Sequence, residues 1–360
     1  MKMNVHLDGI NRISLAQRLG ICFAQRRRDA GNVFEMLNLK SKKINPVNSA
    51  ILSKNNPVKK LCDSATLREN LFATLRENLT KVAILFLAFA VCTAHAQRIN
   101  VGTYNIRLYN DGDTKKGDGW AVRCPAVSSL VRFHDFDIWG AQEVVHNQLL
   151  DLLAALPEYG YTGVCRDDGK TKGEASPIFY KKSRFELLKD GHFWLSEQTD
   201  TPNKGWDAAC IRICSWGEFK DKESGKAFWF FNLHMDHIGV VARAESAKLV
   251  LARIRSMTCG QPVILTGDFN VDQHNPGYKL IAESGLLRDA YEICAVRYAP
   301  NGTFNNFNPQ CVTDSRIDHI FVTEDFKVER YGILTDTYAP KEGPPRLPSD
   351  HYPVKAVLTR

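Results

Sequence analysis

The 360-residue sequence has no Cys-x-x-Cys pair, and past residue 96 it has no surplus of positive charge. It also lacks an apolar run of the roughly 20 residues that a helix needs to cross a hydrocarbon core. The first absence argues against a structural zinc site. The last argues against a permanent membrane anchor. The formal charge of +7 would raise the question of a nucleic-acid or anionic-surface partner, but residues 1–96 hold 15 Lys+Arg against 6 Asp+Glu, and residues 97–360 hold 32 against 34. The basic excess therefore belongs to the leader. With 44% apolar and 24% charged side chains, disorder, collagen and a disulfide miniprotein are excluded.

What is present first is a leader. Lys81 precedes the apolar run Val82 to Cys92, and Thr93-Ala94-His95-Ala96 ends in an Ala-x-Ala cleavage signal before Gln97. This reads as a secretory signal peptide over residues 81–96, so the expected location is exported, periplasmic or secreted. A buried core helix and a lipid-modified Cys92 are the weaker alternatives, since Val91 is bulky for a lipidation site. Residues 1–80 include the tandem octapeptide Ala65 to Phe72 and Ala73 to Thr80. They read as a poorly ordered leader from a start assigned too far upstream, or as a regulatory arm with little core to pack.

Residues 97–360 are long enough for one large α/β domain. Seven of the ten cysteines lie there: Cys124, Cys165, Cys210, Cys214, Cys259, Cys294 and Cys311. An odd count in an exported protein leaves at least one thiol free. Cys210 and Cys214, four strand steps or roughly 13 Å apart, cannot bridge each other.

Strands are expected at Arg98–Ile106, Ile178–Tyr180, Phe185–Leu195, Ala208–Phe219, Ala227–His234, Pro262–Thr266, Asp318–Val322 and Tyr352–Leu358. Helices are expected at Ala126–Phe133, Val144–Leu156, Val240–Met257 and near Tyr278–Glu283, with a Gly- and Asp-rich loop at Asn110–Gly119. Their alternation implies a layered α/β architecture. The block Phe228-Trp229-Phe230-Phe231 could insert into a membrane, but it runs straight into a polar motif and reads as core.

Polar clusters recur where predicted strands give way to loops: Asn105, Gln142-Glu143, the group His234, Asp236 and His237, Gly267-Asp268-Phe269-Asn270, Asp318, and Ser349-Asp350-His351. Each alone fits a strand end, a helix first turn or a surface turn. Together they form an ordered set of oxygen and imidazole groups. Such oxygens suit a hard divalent ion, Mg²⁺ with Mn²⁺ as a substitute, which keeps waters and accepts a phosphate oxygen. Gly267 fits a tight turn that would project Asp268 and Asn270 to one side.

In this order the clusters resemble the endonuclease/exonuclease/phosphatase superfamily, over about residues 98–359. The resemblance implies a four-layer α/β sandwich, with two mixed β-sheets face to face and helices outside. It implies a metal-dependent phosphate-ester hydrolase with Glu143 as principal metal ligand and Asn105 and Asp350 completing the site directly or through water. Asp268 would activate or orient the attacking water, and Asn270 would hold that water or a phosphate oxygen. His351 would contact the scissile phosphate, and His234 would stabilise it or protonate the leaving group. Asp318 would fix an imidazole, and Glu174 would do the same for His234. His237 and His319 read as scaffold. Since no motif position is missing, a non-catalytic binding protein on this fold is the least favoured reading.

The substrate stays open among small, lipid-like and nucleic-acid phosphate esters. A nucleic-acid groove calls for a basic stripe, which residues 97–360 lack, so a small phosphorylated substrate is favoured over DNA or RNA. Arg212, Trp216 and Asp236 are candidate substrate contacts, and Lys115, Lys116 and Arg123 could also line a pocket. A monomer is expected.

Overall fold

The structure, a computed structural model, describes residues 72–81, 98–298, 301–340 and 343–360. Most of the leader, and the expected signal peptide beyond Lys81, lie outside the described residues. Within the leader, residues 72–81 form an exposed helix (α1) in which Glu77 and Lys81 pair at 2.8 Å. The helix spans the second octapeptide, whose Leu, Arg and Glu residues are strong helix formers.

The residues from Arg98 onward belong to a separate compact unit. Its strands are β1 (Arg98–Asn105), β2 (Ile138–Gln142), β3 (Val144–Val145), β4 (Tyr159–Thr162), β5 (Glu174–Ala175), β6 (Ile178–Lys181), β7 (Phe185–Trp194) and β8 (Ile213–Asp221). They continue as β9 (Ala227–His234), β10 (Val263–Asp268), β11 (Arg288–Asp289), β12 (Val296–Tyr298), β13 (Asp318–Val322), β14 (Lys327–Ile333) and β15 (Val354–Thr359). The helices are α2 (Asp111–Lys115), α3 (Trp120–Phe133), α4 (His146–Ala155), α5 (Val240–Thr258), α6 (Pro276–Ala282) and α7 (Ala290–Ile293).

One sheet has seven strands in the order β12-β14-β15-β1-β2-β6-β4, and the other has six in the order β11-β13-β10-β9-β8-β7. Both are mixed, because β1 runs parallel to β2 and β9 parallel to β10 among antiparallel neighbours. Side-chain alternation explains the layers. Along β9, Phe228 and Phe230 enter the core between the sheets with Val101, Ile138 and Ile264. Trp229 and Phe231 point the other way, onto Val250 and Ile254 of α5. On the far side, Trp139 and Tyr104 pack under Val127 and Val131 of α3 and Leu149 of α4. The result is helix, sheet, sheet, helix. The Phe228–Phe231 block is buried throughout, which removes the membrane-patch alternative. No described helix is long and apolar enough to cross a membrane.

Several boundaries differ from the sequence reading. Helix α3 starts six residues early and carries Pro125 internally, because Trp120 and Arg123 are buried and anchor its first turns. Val144 and Val145 pair with Glu174–Ala175 as a short ribbon before α4 begins. Residues 208–212 are loop, not strand. The Asn110–Gly119 loop contains α2, capped by the Asn110 side chain. The seven cysteines are all unpaired.

Candidate active site

The topology brings the polar clusters to one end of the sandwich. Asn105 lies opposite Gln142 at the ends of β1 and β2, and Asp268 lies opposite His234 at the ends of β9 and β10. Strand β13 runs antiparallel to β10, so its first residue, Asp318, is also opposite Asp268. The Ser349-Asp350-His351 segment precedes β15, whose first residue pairs with Thr103 near the end of β1. Gly267 lies within β10 and makes no tight turn. A Cβ there would come within 2.5 Å of the Leu233 carbonyl, so glycine is needed for close strand approach. The turn is made by Asn270, at φ 50°. Glu143 also has positive φ, at 61°, a conformation that is uncommon outside glycine.

Glu143, Asp350, Asp268, His234, His351 and Asn270 line one cavity of about 600 Å³. Glu143 is held by two donors, Asn105 Nδ2 at 3.0 Å and the Leu108 N–H at 3.0 Å. Asn105 is fully buried and does not reach the cavity. Its Nδ2 donates to Asp268 Oδ2 as well, at 3.0 Å, and its Oδ1 accepts the Arg107 N–H at 3.0 Å. In this arrangement it ties Glu143 to Asp268.

Glu143 and Asp350 do fit a cation. Burial pushes the Asp350 carboxyl up and the nearby Glu143 charge pushes it further, against His351, Arg107 and Arg123. A hard divalent ion between these oxygens would relieve that repulsion. Two other clusters have donor atoms within 4.8 Å of one another, Asp268 with Asp318 and His351, and Cys210 with Asp236 and His237. In the first, Asp318 Oδ2 is bonded to His351 Nδ1, and in the second Asp236 accepts backbone N–H groups and His237 lies against Arg212.

The two imidazoles differ. His351 Nδ1 bonds Asp318 Oδ2 at 2.9 Å, and its Nε2 faces Asp268 Oδ2 at 3.8 Å. Burial alone would depress this ring, but the carboxylates of Asp318, Asp268 and Asp350 outweigh it and push His351 up to about 10. Burial, reinforced by Asp318, raises Asp268, while His351 and N–H donors from Asn105 and Asn270 pull it back. His234 goes the other way: burial and the guanidinium groups of Arg212 and Arg166 hold it well below the usual range. Its Nε2 lies 3.1 Å from Asn270 Nδ2, an N–H donor that also bonds the Met235 carbonyl at 3.0 Å. His234 is thus a neutral ring with Nε2 as acceptor, and the proton-bearing imidazole is His351.

Other expectations also change. Glu174 lies 3.8 Å from His234 Nδ1, beyond hydrogen-bond reach, and is forked instead onto Arg166 at 2.9 and 2.7 Å. Asp318 is buried behind His351, away from the cavity. Trp216 is not at the site, because alternation along β8 turns it toward Trp229, 5.4 Å away. Asp236 is buried and takes N–H bonds from Cys210, Ile238 and Gly239, so it shapes a loop without touching the cavity. Arg212 does line the cavity. Lys116 lines it as well, while Lys115 does not and Arg123 is fully buried. His319 bonds the Val271 carbonyl at 2.9 Å, as scaffold. His237 is exposed at the rim, 3.0 Å from Arg212.

Sequence reasoning missed Arg107, Arg166 and Phe304, all of which face the cavity. Arg107 follows Asn105 by two residues and is gripped by Asp113 at 2.8 Å, 3.5 Å from Asp350. Its proximity to a motif residue was an available signal. Arg166 and Phe304 sit in irregular loops that carry no periodic pattern.

Residues 102–351 match the Endonuclease/Exonuclease/phosphatase family. A mannosyl-6-phosphatase from Bacteroides thetaiotaomicron VPI-5482 is 54% identical with a TM-score of 0.72, over 73% of this chain and 100% of that one. An endonuclease/exonuclease/phosphatase from Bacteroides vulgatus is 39% identical with a TM-score of 0.67, over 73% of this chain and 98% of that one. Nocturnin of Rattus norvegicus is 26% identical over 254 residues, covering 65% of this chain and 56% of the rat protein.

Proposed function

The chain belongs to the endonuclease/exonuclease/phosphatase family, a family of metal-dependent phosphoester hydrolases, and from that premise we propose that it is a phosphatase for small phosphorylated sugars. One observation carries this reading: the groups proposed to be catalytic sit in a cavity of about 600 Å³, a size suited to a small ligand. The likeness to the mannosyl-6-phosphatase, at 54% identity, supports the choice of a sugar phosphate. The net charge of residues 97–360, 32 Lys+Arg against 34 Asp+Glu, weighs against nucleic acid.

In this reading Glu143 and Asp350 hold Mg²⁺, which supplies Lewis-acid polarisation of the phosphoryl group when bound. Asp268, steadied by the Asn105 N–H and the Asn270 backbone N–H, orients the attacking water and takes its proton. His351, charged and fixed by Asp318, gives its Nε2 proton to the sugar oxygen as the bond from that oxygen to phosphorus breaks, and it answers the negative charge on the phosphoryl oxygens. Neutral His234, located by Asn270, packs beside them without adding a second cation. Asn105 and Asp318 are positioning residues.

The test is a Mg²⁺-dependent hydrolysis screen over hexose phosphates, inositol phosphates, nucleotides, phospholipids and DNA. Selective release of phosphate from hexose phosphates is the expected result, and DNA cleavage without it would overturn the reading. Export of the segment from Gln97 onward is part of the proposal, supported by the Val82–Cys92 run and the Ala94-His95-Ala96 site. N-terminal sequencing of the processed protein checks it.

A further inference from the structure

Resting on the phosphohydrolase reading, we propose that Arg212 selects a terminal phosphate monoester over a diester, by hydrogen-bonding the peripheral phosphate oxygen that a second ester group would cover. Arg212 is 5% exposed, yet it lines the cavity. Its Nη2 is 3.0 Å from His237 Nδ1, and its Nε is 3.5 Å from Asp236 Oδ2. The remaining nitrogen, Nη1, is buried and has no hydrogen-bond partner. An unpaired guanidinium N–H in a buried setting is costly unless a ligand satisfies it.

The surroundings fix this donor. Asp236 is locked by backbone N–H groups of Cys210 (3.0 Å), Ile238 (3.0 Å) and Gly239 (2.7 Å), so the carboxylate beside Arg212 cannot swing to cover Nη1. Glu174, the other carboxylate on this wall, is forked onto Arg166. Arg212 and Arg166 both line the cavity, and both guanidinium groups act on His234 and Glu174. A monoester carries one more peripheral oxygen and one more negative charge than a diester, and a planar fork of donors matches such an oxygen. An alkyl group in its place would leave Nη1 unsatisfied and would itself meet a buried charge.

The test compares wild type, Arg212→Gln and Arg212→Lys on p-nitrophenyl phosphate and methyl p-nitrophenyl phosphate with Mg²⁺, which share a leaving group and differ by one charge. Wild type should prefer the monoester. Arg212→Gln should lose roughly ten- to a hundredfold in monoester kcat/KM, with diester turnover changed by less than about threefold. Arg212→Lys, which keeps the charge without the fork, should fall between, and it serves as the reading if the Gln variant does not fold. Independently of turnover, calorimetric titration should show inorganic phosphate binding weakened in Arg212→Gln by a similar factor, while dimethyl phosphate binding is unaltered. Equal losses on both esters, or unchanged phosphate affinity, would overturn the assignment and leave the hydrolase reading standing. If wild type turned over neither ester, the hydrolase reading would fail, and the phosphate titration would still decide whether Arg212 reads the extra charge.

Discussion

His351 Nδ1 lies 2.9 Å from Asp318 Oδ2, with both side chains buried, which leaves Nε2 as the nitrogen turned toward Asp268. The carboxylate fixes the ring's orientation and keeps it charged. Asp318→Asn should therefore lower kcat by about 10²-fold with a smaller change in KM, and steady-state kinetics check this. The pair also links stability to pH. Because His351 in the folded protein titrates near 10, above the ordinary 6.5, its charged form stabilises the fold fully below about pH 6.5. That contribution disappears as pH rises through about 10. In metal-free protein, the Tm gap between wild type and Asp318→Asn should be widest near pH 6 and should close in strong alkali, whereas a gap independent of pH would argue against a charged His351.

Glu143 carries the clearest metal prediction. Saturating Mg²⁺ should raise the stability of the wild type, by about 2.7 kcal/mol at a hundred times Kd, and should do so far less in Glu143→Gln. Thermal melts with and without Mg²⁺ measure this. A chelator should abolish wild-type turnover and should remove the thermal shift.

Arg123 is fully buried and donates to four carbonyls, Asp118 at 2.7 Å, Ile106 at 2.7 Å, Pro348 at 3.0 Å and Arg107 at 3.1 Å. It ties the loop after β1 to the segment just before Asp350. Arg123→Met leaves those carbonyls unpaired and should cost about 3–5 kcal/mol in urea denaturation.

Gly140 tests the polar seam between the sheets. A Cβ there would lie 2.1 Å from Asn232 Oδ1 and 2.5 Å from Thr266 Oγ1. Asn232 Oδ1 accepts from Gln142 at 2.7 Å, and its amide bonds the Ala141 and Pro177 carbonyls at 2.8 and 3.0 Å. Gly140→Ala should destabilise by about 3 kcal/mol or more, read from denaturant midpoints.

The layered fold was legible because β9 is apolar on both faces and because the helical stretches alternate with strands. The strands Val296–Tyr298 and Lys327–Ile333 were not, since the first is exposed throughout and a register shift between Val328 and Arg330 breaks the alternation of the second. In the site, motif residues at strand ends announced Glu143, His234, Asp268 and His351. Asn105 was placed at the right point in the fold, but its bonds to Glu143 and Asp268 were not legible, because residue type does not say whether an amide turns its oxygen or its nitrogen to a carboxylate. Trp216 and Asp236 were misread because strand register and backbone N–H donors, which decide where those side chains turn, are long-range facts. Arg166 needed Glu174, eight residues on, to be brought back across a loop.

The most direct test of the account compares Mg²⁺-dependent hydrolysis of a hexose phosphate by wild type and by Asp268→Asn, after melts show that both are folded. Asp268 is the group placed to take the proton from water, so the variant should lose about 10²–10⁴-fold in kcat. Equal turnover by the two proteins would contradict the mechanism.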